Sequence, residues 1–78
     1  MVHFTFFQAS GSELPIGTAS ATALTPSGQP LDLKLIRFDP GHFGANVNLA
    51  PGRWTFLIQA NPTAGTPVSA YFRQRIGT

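Results

Sequence analysis

The chain has 78 residues, 42% hydrophobic and only 10% charged, a balance that excludes a disordered chain and points to one small globular domain spanning residues 1–78. Five bases (Lys34, Arg37, Arg53, Arg73, Arg75) against three acids (Glu13, Asp32, Asp39) leave a net charge of +2, too little for the electrostatic footprint of a nucleic-acid-binding protein. The absence of cysteine excludes disulfides, zinc–thiolate sites and thiol catalysis, so the fold must be held by packing alone.

Clusters of proline and glycine at "SGSELPIG", "TPSGQP", "DPGH", "APGR" and "NPTAGTP" divide the chain into strand-length pieces rich in β-branched and aromatic residues. Six strands are predicted: Val2–Ala9, Thr18–Leu24, Leu31–Phe38, Phe43–Leu49, Trp54–Ala60 and Val68–Ile76. Alternation assigns their faces. Phe4 and Phe6 point inward from the first strand, and the second sets Thr18, Ser20 and Thr22 against Ala19, Ala21 and Ala23, small residues on which a ring can pack. Leu31, Leu33 and Leu35 oppose Asp32 and Lys34; Phe43, Ala45, Val47 and Leu49 oppose Gly44, Asn46 and Asn48. Trp54, Phe56 and Ile58 share a face of the fifth strand, and Val68, Ala70 and Phe72 oppose Ser69, Tyr71, Arg73 and Arg75 on the sixth. Six short strands, each with an apolar face, fit two antiparallel sheets packed as a small immunoglobulin-like sandwich, with a small β-barrel as the alternative.

The segment from Ala19 to Ala60 resembles the YtkA-like and FixH-like group of bacterial extracytoplasmic domains. The resemblance is carried by the turn Ser27-Gly28-Gln29-Pro30, the "GH-aromatic" turn Gly41-His42-Phe43 and the turn-plus-anchor Pro51-Gly52-Arg53-Trp54. It covers about half the chain and implies an immunoglobulin-like sandwich outside the cytoplasmic membrane, tethered through a longer parent protein and found beside copper-handling proteins. "PGRW" is a signature of fold rather than of chemistry.

Copper favours imidazole and sulfur ligands, and the chain offers Met1, His3 and His42 as candidate metal ligands. A free amino terminus, two amide nitrogens and the ring of a third-position histidine can enclose copper(II) in a square plane, so Met1-Val2-His3 has the spacing for a site independent of His42. His42 itself reads as a solvated side chain of the "DPGH" turn, with Asp39 available to accept from backbone amides. Tyr71, Arg73 and Arg75 alternate on the last strand as a candidate partner surface, the pattern that a cold-shock-like barrel would use for single-stranded nucleic acid. Three carboxylates and no nucleophile or phosphate-loop motif argue against an enzyme. The expectation is therefore a non-enzymatic extracytoplasmic binding or spacer module of a membrane-associated bacterial protein. It is expected to have a protein partner at the membrane, no cofactor and no nucleic acid. A periplasmic copper-binding protein is the alternative, and a small nucleic-acid-binding barrel the third.

Overall fold

The computed structural model describes residues 1–77. Its seven strands are β1 (Val2–Thr5), β2 (Ile16–Leu24), β3 (Pro30–Leu33), β4 (Ile36–Asp39), β5 (His42–Ala45), β6 (Gly52–Pro62) and β7 (Val68–Ile76). They build two antiparallel sheets, β1-β5-β4 and β3-β2-β6-β7, and no strand is shared between them, which rules out the closed barrel. In the lettering of immunoglobulin-type sandwiches the first sheet is B-E-D and the second C′-C-F-G. Strand A would lie beside β1, and no strand among the described residues occupies that place.

Seven strands replace the expected six because the apolar run Leu31–Phe38 breaks at Lys34-Leu35, where the chain leaves one sheet for the other. Leu35 turns inward there and packs against both core clusters, whereas Leu31, expected in the core, is 42% exposed on the edge strand β3. The first strand ends at Thr5 rather than Ala9. Beyond it, Leu14 donates to the Phe6 carbonyl and Gln8 to that of Ser12, closing a small loop over Gly11, whose φ of 92° suits glycine. Pairing of the fourth expected strand stops at Ala45, although Val47 and Leu49 still pack on the core. Alternation reports which way a side chain points, not whether its backbone is hydrogen-bonded to a neighbour.

The core follows the expected rows. Phe4, Ala21, Ala23, Phe43, Ala45, Trp54, Phe56, Ile58 and Ala60 are all buried. Register sets Ala23 across from Phe56 and Ala21 across from Ile58, so methyl side chains leave room for the larger groups. Phe4 meets Phe56 edge-on across the sheets at 6.2 Å between centroids, and Trp54 stacks along Phe56 at 6.3 Å. The Trp54 indole Nε1–H donates to the Ala50 carbonyl at 2.8 Å, which ties the "APGRW" turn to the core.

One row departs from expectation. Phe72 lies on the inner face, across from Phe56 in register, yet it is 52% exposed, because the three-stranded sheet stops short of β7. The accessible surface of 5165 Å² for 8.3 kDa exceeds the roughly 4,600 Å² expected of a compact monomer of that mass. A radius of gyration of 13.0 Å likewise exceeds the about 11.5 Å of a compact 78-residue chain. The sandwich is open along one side.

Trp54→Ala is expected to cost about 3–5 kcal/mol, the range for deleting a large buried ring and a large share of what so small a domain has. Urea unfolding measures the loss, and native fluorescence checks the premise: an emission maximum typical of water-exposed indole contradicts it.

Candidate functional site

Three surfaces come out of this fold. The first lies on the outer face of β1-β5-β4. Pairing of β1 with β5 matches Thr5 to His42 and His3 to Gly44, so His3 and His42, 39 residues apart in sequence, become diagonal neighbours on one face. Their rings touch through Nδ1 of His3 and Nε2 of His42 at 2.8 Å, with centroids 5.0 Å apart. Phe38 of β4 flanks both, at 5.6 Å from His3 and 5.3 Å from His42 between centroids. An Oδ2 of Asp39 stands 3.7 Å from Nδ1 of His42, an electrostatic contact longer than a hydrogen bond. The two facing nitrogens share one hydrogen, and either ring can be the donor. Met1 extends over the same face, its sulfur against the space that Gly44 leaves by having no side chain.

Local sequence fixes this arrangement at the β4–β5 turn. The Pro40 carbonyl accepts from the Ile16 amide at 2.8 Å and the Gly41 carbonyl from the Phe6 amide at 2.9 Å, which docks the turn against the first residue of β2 and the residue just after β1. A side chain at Gly41 would overlap the carbonyl oxygen of Leu14, so the glycine of the "GH" pair is required for close approach, and His42 follows it at the start of β5. Arg37 closes the same end of the molecule. Its guanidinium donates to the carbonyls of Ile16 at 2.7 Å, Gly17 at 2.9 Å and Pro40 at 3.0 Å and lies 4.7 Å from the centre of the Phe43 ring, clamping β4 to β2 across the two sheets.

The geometry differs from the amino-terminal chelate anticipated for His3. Residues 2–5 are extended in a strand, and Nδ1 of His3 faces His42 instead of folding back toward the first backbone nitrogens. His42, read as a solvated turn residue, is half-buried at 29% side-chain exposure. No group of three or more His, Cys, Asp or Glu side chains converges among the described residues; two imidazoles with a carboxylate behind one of them make the site.

On the outer face of β6 and β7, Tyr71, Arg73 and Arg75 lie in one exposed row as alternation required, with the Arg73 guanidinium 5.8 Å from the Tyr71 ring centre. Register adds what sequence alone missed: Arg53 stands directly across from Arg75 and Thr55 across from Arg73. The basic stripe thus has three guanidinium groups.

The third surface is the open side itself. A cleft of about 500 Å³ runs between β1 and β7, with Val2, Phe4 and Phe6 on one wall, Val68, Ala70 and Phe72 on the other, and Phe56 and Ile58 beneath. No family model matches the chain, and neither a curated protein nor a solved structure does.

Gly41→Ala is expected to destabilise by about 1–3 kcal/mol, since backbone rather than a flexible side chain has to move. Arg37→Lys is expected to cost about 1–2 kcal/mol, because a lysine amine cannot span three carbonyls in the way a guanidinium fork does. Denaturant midpoints of both variants, at unchanged m-value, check these figures; an Arg37→Lys protein as stable as the parent removes the clamp from the account.

Proposed function

We propose that this chain is a non-enzymatic, extracytoplasmic binding module of a membrane-associated bacterial protein, and that it binds by taking an extended strand of a protein partner into the cleft between β1 and β7. The compartment in this reading follows from the resemblance carried by Ala19–Ala60. The mode of binding follows from the cleft, which lies where an immunoglobulin-type sandwich has its strand A.

The character of the four sheet edges supports a strand as the occupant. Exposed edges in monomeric proteins are blunted by charge and proline. The edge strand β3 carries Pro30 and Asp32, and β4 carries Arg37 and Asp39 with Pro40 after it. By contrast β1 carries no proline and no Asp, Glu, Lys or Arg, and β7 has no proline and keeps its two charges, Arg73 and Arg75, on the outer face beyond the uncharged stretch Val68–Phe72 that borders the cleft. An added strand would meet unpaired backbone groups on β1 or β7 for affinity and alternating apolar rows for specificity, the logic of β-strand addition. The occupant is accordingly an uncharged segment in which apolar residues alternate with Ser or Thr.

An arrayed panel of eight-residue peptides of that pattern tests this, read by amide hydrogen exchange. Binding at micromolar concentration or tighter is expected to protect amides in Val2–Thr5 and Val68–Phe72. Val68→Lys, whose charge would enter the cleft, is expected to abolish binding while leaving the β circular-dichroism spectrum intact. A panel without a binder, or binders that ignore Val68→Lys, would sink the reading. Should a concentration-dependent dimer protect the same amides instead, the occupant is a second copy of the chain and the partner is dispensed with.

A further inference from the structure

We propose that His3 and His42 form a binding site for one divalent transition-metal ion with tetragonal preference, copper(II) foremost. The site lies on the outer face of the three-stranded sheet, and the observations that carry it are separate from those for the strand-binding cleft, although His3 of β1 also borders that cleft.

The decisive quantity is the separation of the two nitrogens. Nδ1 of His3 and Nε2 of His42 are 2.8 Å apart. A metal bound to both at about 2.0–2.1 Å would subtend an N–metal–N angle of about 85–90°, whereas a tetrahedral ion at such bond lengths wants its nitrogens roughly 3.3 Å apart. The observed spacing thus suits adjacent positions of a square-planar or tetragonal ion. The ion would sit about 1.5 Å off the line between the nitrogens at those bond lengths, on the solvent side, because His3 is exposed; water completes its coordination.

No proton need be lost. In the metal-free site one of the two facing nitrogens carries the hydrogen that the other accepts. When the metal enters, that proton moves by way of solvent to the far nitrogen of its own ring, and both facing nitrogens present lone pairs as neutral imidazoles. Asp39 lies 3.7 Å from the far nitrogen of His42, Nδ1, where its charge supports a proton on that nitrogen once Nε2 holds the ion. Both ligands also stand on paired strands rather than on a loop, so the backbone is already ordered; the two rings, aimed at each other by their hydrogen bond, have only to turn until both lone pairs meet at the ion. One thioether, Met1, is too few soft ligands for a copper(I) site.

The test is a titration of the chain with copper(II) against a weak competitor such as glycine, followed by paramagnetic resonance. One equivalent is expected to bind with hyperfine coupling from two imidazole nitrogens. His3→Ala and His42→Ala should each abolish that signal at unchanged circular dichroism; His42→Gln serves if alanine disturbs the turn. Asp39→Asn should weaken binding by about tenfold, the lower end for loss of a partner behind a metal ligand. Acetylation of the amino terminus should leave binding unaltered. Copper that survives His42→Ala and is lost on acetylation would overturn the proposal in favour of the amino-terminal chelate, and the absence of saturable binding would overturn both.

Discussion

Four residue pairs between β1 and β5, from Val2 with Ala45 to Thr5 with His42, hold the arrangement on which the histidine pair and the cleft depend. The strand concerned is short and sits at a sheet edge, so its own hydrogen bonds are few. What keeps it in place is Phe4, which enters the core at 7% exposure against Phe56 of the opposite sheet. A slip of one residue would turn Phe4 to solvent and bury His3, exchanging a favourable apolar burial for an unpaired imidazole in the core. The pattern Val-His-Phe-Thr-Phe therefore sets register by energetics: the apolar row is worth burying and the polar row is not.

How much of this was legible from sequence divides along physical lines. Trp54, Phe56 and Ile58, and the small residues Ala21 and Ala23 facing them, could be read because alternation is a local property of the strand. Phe72 could not. It has the same inward orientation as Phe56, and only the width of the opposing sheet leaves it half in water. The break at Lys34-Leu35 was hidden for a related reason: an apolar run can stay continuous while the chain passes from one sheet to the other, since Leu33 and Leu35 both face the same core layer. Meeting of His3 with His42 depends on which strands pair and in what register, and neither the "VHF" nor the "GHF" segment holds that information by itself. The turn before Trp54 is pinned by the Trp54 indole on the Ala50 carbonyl, a contact that depends on the ring's entry into the core.

Arg37 shows a further limit. Within the sequence it is one of five bases on a short polar-apolar segment, with nothing to separate it from Lys34 or Arg53. In the fold it alone among the five bases joins carbonyls of β2 to that of the β4–β5 turn, and it does so at the end where Ile16, Phe43 and Ala60 form a second small core cluster. With that end clamped and the β1–β7 side uncovered, Phe7 and Phe72 stand exposed along the open side, while Leu31 on β3, Ile36 and Phe38 on β4, and Leu57 and Tyr71 on the outer face of β6 and β7 are exposed elsewhere. The scattered ones need no explanation, whereas the cleft, with Val2, Phe4 and Phe6 facing Val68, Ala70 and Phe72, does.

Because β1 forms a wall of the cleft and also carries His3, the two surfaces cannot be energetically independent even though they lie on opposite faces of the strand. An incoming strand that pairs with β1 would suppress its fraying, and a metal that bridges His3 to His42 would suppress the same motion by joining β1 to β5. Each ligand then spares the other part of the cost of ordering β1, and linkage requires the benefit to be equal in both directions. Its size is bounded by the free energy of fraying itself. In a four-residue edge strand anchored by one buried ring, that free energy lies toward the low end of the range found within a folded domain. The coupling is accordingly modest and positive, and it is lost if either Phe4 or the Gly41 turn that positions His42 is disrupted.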